Sequence, residues 1–269
     1  MRGFCICCLA LGSVLAQDFE ILSLGTFSAN NVSLTFEQYR PIRQVFLDRF
    51  KTDGIQGDVK LRIFETEAEL VTQLAQGKIH FAPLTPIGYM EAKRRMPDLG
   101  LVGGEIREGS MTKKGSVVAM KSVSVFKIQD IKGRKVGLGS PGDPFYDIAL
   151  RAFLVDQGIN LKEVEFLRFE NFRKIPEMLE VGRCQLTVLP DSVVKANPEN
   201  YRVFGSVEVP NRVWVARGDL FPYQQDWIRQ ELTHLTPVQL QAIEIQGIET
   251  TTDAIFQPFI GYLRSLGYL

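Results

Sequence analysis

The residues of this chain best suited to chemistry lie in one turn, SPGDPFY, residues 140–146. Asp143 followed by Pro144 reads as a helix start. An aspartate at the N-cap accepts the first free N–H groups, and proline fits the first helical position, where no N–H is required. A turn that aims backbone N–H groups from a helix N-terminus is a ligand cradle, most often for an anion. Here the cap is itself an acid. Phe145 and Tyr146 come next, and the amphipathic Tyr146 ring suits either a cleft wall or the packing of a first turn. The chemistry expected of this turn is recognition, with no covalent step.

Nothing else in the chain offers a catalytic constellation. The only histidines are His80 and His234. Neither has a Ser, Cys or Asp partner at a recognisable spacing. His80 falls within an expected strand and His234 within a C-terminal helix. There is no H-E-x-x-H, no P-loop and no paired-cysteine metal pattern. The glycine-rich LGSPGD lacks the Lys-Ser/Thr that follows a phosphate loop. The expectation is a binding protein, not an enzyme, with no cofactor and no metal.

Lys plus Arg equals Asp plus Glu at 31 each, so no basic excess points to nucleic acid or an anionic membrane. Arg2 precedes the apolar run FCICCLALGSVLA, with small residues at its end. Residues 1–16 read as a secretory signal and Gln17 as the mature start, so the chain is expected to be exported. Three of the 4 cysteines leave with that segment. Cys184 remains, unable to form an intrachain disulfide and expected as a small buried hydrophobe.

The elements that must position the turn alternate between strand and helix. Residues 19–25, 58–64 and 78–84 read as strands. Residues 35–50, 67–77 and 86–96 read as helices, the first with Phe36, Tyr39, Val45, Phe46 and Phe50 inward. The pattern restarts with strand 116–121. Val136 and Leu138 then form a strand end, and a helix follows whose apolar face is Ile148, Ala149, Ala152, Phe153 and Val155, closed by Gly158. Strand 164–169, helix 172–181 and strands 185–189 and 211–216 come next, then a mostly helical tail. The fold class is α/β, with largely parallel sheets flanked by helices. Two such halves in 269 residues imply two lobes with a cleft between them.

The order of these blocks resembles the periplasmic phosphonate/phosphite-type binding proteins of ABC transporters. The similarity is carried by YRPI (39–42), FETEAELVTQLAQGKIHFAPLTPIGY (64–89), SVVAMK, IQDIKGRKVGLGSPGD, ALRAFLVDQGI, EMLEVGRCQLTVLPDSVV and VEVPNRVWVARGDL. It covers nearly all of the chain beyond the signal. It implies a two-lobe type 2 binding-protein fold, with lobe 1 at residues 17–115 plus 210–269 and lobe 2 at 116–209. It implies a monomer that closes on a small molecule and delivers it to a membrane permease. A partner sensor kinase or chemoreceptor, or an enzyme on the same fold, is the alternative.

The resemblance also implies a site. Thr85 and Tyr89 would lie on the first lobe's cleft edge, with Phe27 and Ser28 in a ligand loop after the first strand and Asn30 and Asn31 as turn residues. Asp191 would receive a ligand amino group. Arg173 is either an anchor for a carboxylate or phosphonate or a surface arginine, and Glu65 a second acid or a solvated one. At the turn this chain departs from the family. Phosphonate binders carry a Ser/Thr-rich stretch where Asp143, Pro144, Phe145 and Tyr146 stand, and a histidine-plus-Asp feature of those binders is absent, with Phe172 and Arg173 near its place. A carboxylate beside an oxyanion in a partly closed site costs about several kcal/mol. Asp143, Asp191 and the rings therefore favour an amine-bearing or cationic ligand over a phosphonate.

Overall fold

The computed structural model describes residues 21–28 and 31–269. The expected signal, the start of the first strand at Phe19, and Asn30 lie outside them. In chain order the elements are β1 (Ile21–Phe27), α1 (Val32–Thr52), β2 (Asp58–Phe64), α2 (Glu67–Ala75), β3 (Phe81–Leu84), α3 (Pro86–Arg95) and β4 (Gly100–Ile106). Then come β5 (Thr112–Met120), β6 (Lys135–Leu138), α4 (Leu150–Asp156), β7 (Glu165–Arg168), α5 (Ile175–Glu180), β8 (Thr187–Pro190), α6 (Asp191–Ala196) and β9 (Tyr201–Pro210). The chain ends with β10 (Val213–Ala216), α7 (Pro222–Thr233), α8 (Pro237–Ala242), β11 (Gly247–Glu249) and α9 (Gln257–Ser265).

The chain divides into two compact units, Met1–Glu105 with Val213–Thr250, and Ile106–Arg212 with Thr251–Leu269. The first holds a six-stranded sheet in the order β11-β4-β10-β3-β1-β2. β1 runs parallel to β2, from Ile21 opposite Asp58 to Phe27 opposite Phe64. It is also parallel to β3, with Leu24 opposite Phe81. β10 enters antiparallel between β3 and β4. Helix α1 covers one face with Thr35, Tyr39, Ile42, Phe46 and Phe50, a stripe at helical spacing. Phe36 was expected inward but is exposed. The helix starts at Val32, capped by Asn31 Oδ1 on the Leu34 N–H at 2.9 Å, and this phase buries Thr35 in its place. Phe46 packs on Phe81 at 4.8 Å and on Trp227 at 5.4 Å between ring centroids.

His80 precedes β3 instead of alternating within it. Its Nδ1 accepts the Ser23 N–H at 3.0 Å, so this nitrogen must be unprotonated. Burial, and then the Arg217 charge, lower its pKa from 6.5 to about 4. The unfolded chain therefore binds a proton that the folded chain refuses between those values. The stability this represents is fully present above pH 6.5 and is lost as pH falls toward 4, about 2–3 kcal/mol in all. Midpoints of thermal unfolding at pH 7 and pH 4.5 should converge in His80→Gln relative to the wild type; an equal acid loss in both proteins would contradict this account. His234 ends α7, with Nδ1 2.7 Å from the Gln230 carbonyl oxygen.

The second unit departs from the expectation of largely parallel sheets. Among the described residues, parallel pairing here is confined to β6, which runs beside β7 over Lys135–Leu138 and Glu165–Arg168 and makes one further parallel bridge, Val136 to Leu186. β5 pairs antiparallel with both β8 and β9. A short apolar run carries no mark of strand direction, so the sequence could not show this pairing. The unit's boundaries also differ from the lobes read in the sequence. Residues 106–115 belong here because β5 is paired with β9 from Thr112 to Met120. Residues 251–269 belong here because the C-terminal helix joins this unit. Tyr262 Oη accepts the Glu208 N–H at 3.1 Å, and Arg151 donates to Tyr268 Oη at 3.1 Å. Cys184 lies in the turn before β8, buried, and burial pushes its thiol pKa up to about 11.

Candidate functional site

In the second unit the sequence-predicted cap forms. Asp143 Oδ1 accepts the N–H groups of Phe145 at 2.9 Å and Tyr146 at 2.6 Å. Pro144 takes the first helical position. The first turn, Pro144–Ala149, is wide: the Ile148 N–H reaches the Asp143 carbonyl at 2.9 Å, an i to i+5 bond, before α4 continues in regular form. Such π turns concentrate at functional sites. Ile148, Ala149, Ala152 and Phe153 bury as expected, joined by Leu154.

The sequence reading missed what holds the turn from behind. Asp147 is 1% exposed. Its Oδ2 accepts the Gly142 N–H at 2.8 Å, and its Oδ1 accepts Arg151 Nε at 2.7 Å. Arg168 reaches the same oxygen at 3.3 Å and donates to the Gly139 carbonyl at 3.1 Å. Gly142 has φ of 79°, a conformation that favours glycine and brings its N–H to Asp147. The spacing of Asp147 and Arg151, four residues on one helix, was the available sequence signal. Arg168, on β7, gave none.

Phe145 and Tyr146 are buried, and their rings meet edge to face at 4.9 Å. Gly115 on β5 makes this possible, since a Cβ there would collide with the Phe145 ring. Phe172 stacks on Tyr146 at 5.5 Å. Into these three rings projects Lys113 of β5. Its ammonium lies 4.3 Å from the Phe145 centroid, 4.5 Å from Tyr146 and 5.7 Å from Phe172. Its Nζ is 3.5 Å from Tyr146 Oη. Burial lowers the Lys113 pKa, while the charges of Asp143 and Glu108 oppose that shift. Burial also raises the Tyr146 phenol, which stays protonated. The ring cluster read from the sequence as a seat for a ligand's amine thus contains an ammonium of the chain itself, and no sequence signal tied Lys113 to residues 145–172.

Asp191 opens α6, where its Oδ1 accepts the Ser116 hydroxyl at 2.9 Å. Ser116 lies three residues beyond Lys113 on β5. Lys195 stands 3.8 Å from the other Asp191 oxygen. Arg173 is exposed in the one-turn helix Phe172–Lys174, so the expected helix from residue 172 begins as an α-helix only at Ile175. Its guanidinium is 6.0 Å from the Phe172 ring.

In the first unit, Phe27 and Ser28 end β1, while Thr85 and Tyr89 follow β3. These are carboxyl ends of parallel strands, the edge where open α/β sheets hold ligands. Thr85 is the N-cap of α3, accepting the Gly88 N–H at 3.1 Å. It is clasped by Glu67, which takes the Thr85 N–H at 2.6 Å on Oε1 and the Thr85 hydroxyl at 2.5 Å on Oε2. Tyr89 is buried within the unit. Ser28 donates its N–H to the Phe64 carbonyl at 2.8 Å, and its Oγ accepts the Asn31 N–H at 3.2 Å. Phe27 is half-buried and Glu65 exposed. Glu67, within a block quoted for its resemblance, was not singled out.

Among the described residues, no cluster of His, Cys, Asp or Glu could hold a metal ion, and no helix is long and apolar enough to cross a membrane. The two discontinuous α/β units define the class: a type 2 periplasmic binding protein fold. Solved structures agree in fold. The XAC2383 protein of Xanthomonas citri, bound to ATP, is 13% identical, with a TM-score of 0.73 and coverage of 93% of this chain and 99% of that one. PhnD1 of Prochlorococcus marinus, in complex with methylphosphonate, is 13% identical, with a TM-score of 0.68 and the same coverage. A binding-protein component of an ABC phosphonate transporter from Pseudomonas aeruginosa is 14% identical, with a TM-score of 0.60 and coverage of 93% and 87%. No curated protein sequence matches significantly. The family profile described as "ABC transporter, phosphonate, periplasmic substrate-binding protein" matches residues 24–256. The chain belongs to that family, whose members bind small molecules and work with ABC permeases.

Proposed function

We propose that this chain is the solute-binding subunit of an ABC importer whose ligand is a small polar molecule other than free phosphonate or phosphite. One observation carries the reading: both helix starts that the family resemblance assigns to ligand are filled by the chain's own carboxylates. At the second-unit turn, Phe145 and Tyr146 donate to Asp143, Gly142 donates to Asp147, and Pro144 has no N–H. At α3, Thr85 gives both its N–H and its hydroxyl to Glu67. A dianionic headgroup at either place would meet a fixed negative charge and donors already used. Ligand hydroxyl, amide or amine groups would instead pair with Asp143 and Asp191, each of which makes its hydrogen bonds to the chain through Oδ1.

On this reading Phe27, Ser28, Thr85, Tyr89, Asp143, Phe145, Tyr146, Arg173 and Asp191 surround or support the ligand. The protein acts as an exported monomer, without covalent chemistry. Calorimetric titration of the purified protein with methylphosphonate, phosphite and a panel of small amines and polyols tests it. No saturable heat is expected from either oxyanion up to about millimolar concentration. Micromolar phosphite or methylphosphonate binding would overturn the reading.

A further inference from the structure

We propose that Phe145, Tyr146 and Phe172 form a cation box whose resident cation is Lys113, and that Lys113 determines specificity by barring ammonium ligands from it. The inference rests on the reading that the Asp143 turn belongs to the ligand site, and it deepens that reading. The geometry is that of an aromatic cage. Tyr146 and Phe172 stack at 5.5 Å, Phe145 meets Tyr146 edge-on, and one ammonium lies within 6 Å of all three centroids. Asp143 and Glu108 supply the negative field a caged cation needs.

The box is not sealed. Phe172 is 46% exposed, while Phe145 and Tyr146 are buried, so solvent reaches the cage from the Phe172 side. A cage of three rings holds one cation. While Lys113 is in place, a ligand ammonium meets a like charge and finds its ring faces taken. The amine preference that the acids and rings suggest in the sequence is thereby cancelled at this spot by a residue on a different strand. The same ammonium, fixed on rings instead of buried in an ion pair, leaves a positive pole beside Asp143.

Removing the lysine should uncover the box. Tetramethylammonium is the probe, because it binds through ring faces and cannot donate a hydrogen bond. Wild type is expected to give no saturable response, whereas Lys113→Ala should bind at least about tenfold more tightly. Phe172→Ala in the Lys113→Ala background should abolish the gain. If truncation to alanine prevents folding, Lys113→Gln removes the charge on a shorter stem and should show the same direction of change. Proton NMR of the wild type reads the box directly, since the Lys113 ε-methylene protons should be shifted upfield by the three rings. Equal tetramethylammonium binding by wild type and variant, or unshifted ε-methylene resonances, would overturn the proposal. Phosphonate binding by the wild type would instead count against the function proposed above and leave the tetramethylammonium comparison intact.

Discussion

Asp147→Ala should destabilise the protein by about 3–5 kcal/mol, the largest loss expected from any single side chain described here. Asp147 is a buried carboxylate whose oxygens receive one backbone N–H and two guanidinium groups. Alanine would strand the Gly142 N–H and leave the mostly buried Arg151 charge without its carboxylate. Breaking a buried pair costs far more than the pair contributes, because the remaining partner keeps its desolvation penalty. The two arginines should rank below the aspartate. Arg151, with 16% of its side chain exposed, should cost more on truncation than Arg168, which is 40% exposed and better screened. Denaturant unfolding of the three variants gives the order. A loss under about 1 kcal/mol for Asp147→Ala would contradict the network's structural role. Because Asp147 also ties the Gly139–Asp143 backbone through Gly142 and Arg168, limited proteolysis of the variant should open first within residues 139–143.

How much of this could be read from residue order depends on the range of the interaction. Asp143 followed by Pro144 identified the cap because capping is local: the acceptor and both donors lie within four residues. The helical stripe of α1 was legible for the same reason, apart from a shift of phase that exposes Phe36 and buries Thr35. Strand 58–64 was found with its bounds, since its alternation is strong. What escaped the reading was carried by contacts between distant strands. Lys113 reaches the turn across the gap left by Gly115, a relation set by how β5 lies against the wide first turn and not by any spacing in the chain. Glu67 clasps Thr85 from 18 residues away. The antiparallel pairing of β5, β8 and β9 was hidden because short apolar runs look alike in either direction. The last helix was assigned to the other compact unit because nothing in its composition specifies its partner, and the contacts that tie it here, such as Tyr262 with Glu208 and Tyr268 with Arg151, join residues far apart in the chain.

Asp143→Ser should convert the turn toward the oxyanion chemistry of phosphonate binders, raising affinity for methylphosphonate by at least about tenfold over the wild type, or 1.4 kcal/mol. Serine is as good an N-cap as aspartate, so the Phe145 and Tyr146 N–H groups keep an acceptor and the helix start survives. The change that matters is charge. Two like charges about 4 Å apart at an effective dielectric constant near 20 repel by about 4 kcal/mol, enough to exclude a phosphonate from the turn. With Asp143 neutralised, the Lys113 ammonium no longer has that carboxylate's charge beside it. An incoming oxyanion would then meet an attractive field in place of a repulsive one. Asp143→Asn separates charge from hydroxyl chemistry, because asparagine also caps well but offers no hydroxyl. A gain in both variants assigns the selectivity to charge. A gain in serine alone assigns it to the missing hydroxyl. No gain in either variant, with helix content preserved by circular dichroism, would mean that Asp143 is only a cap and that selectivity against phosphonate lies elsewhere, with Glu67 at α3 the next residue to neutralise.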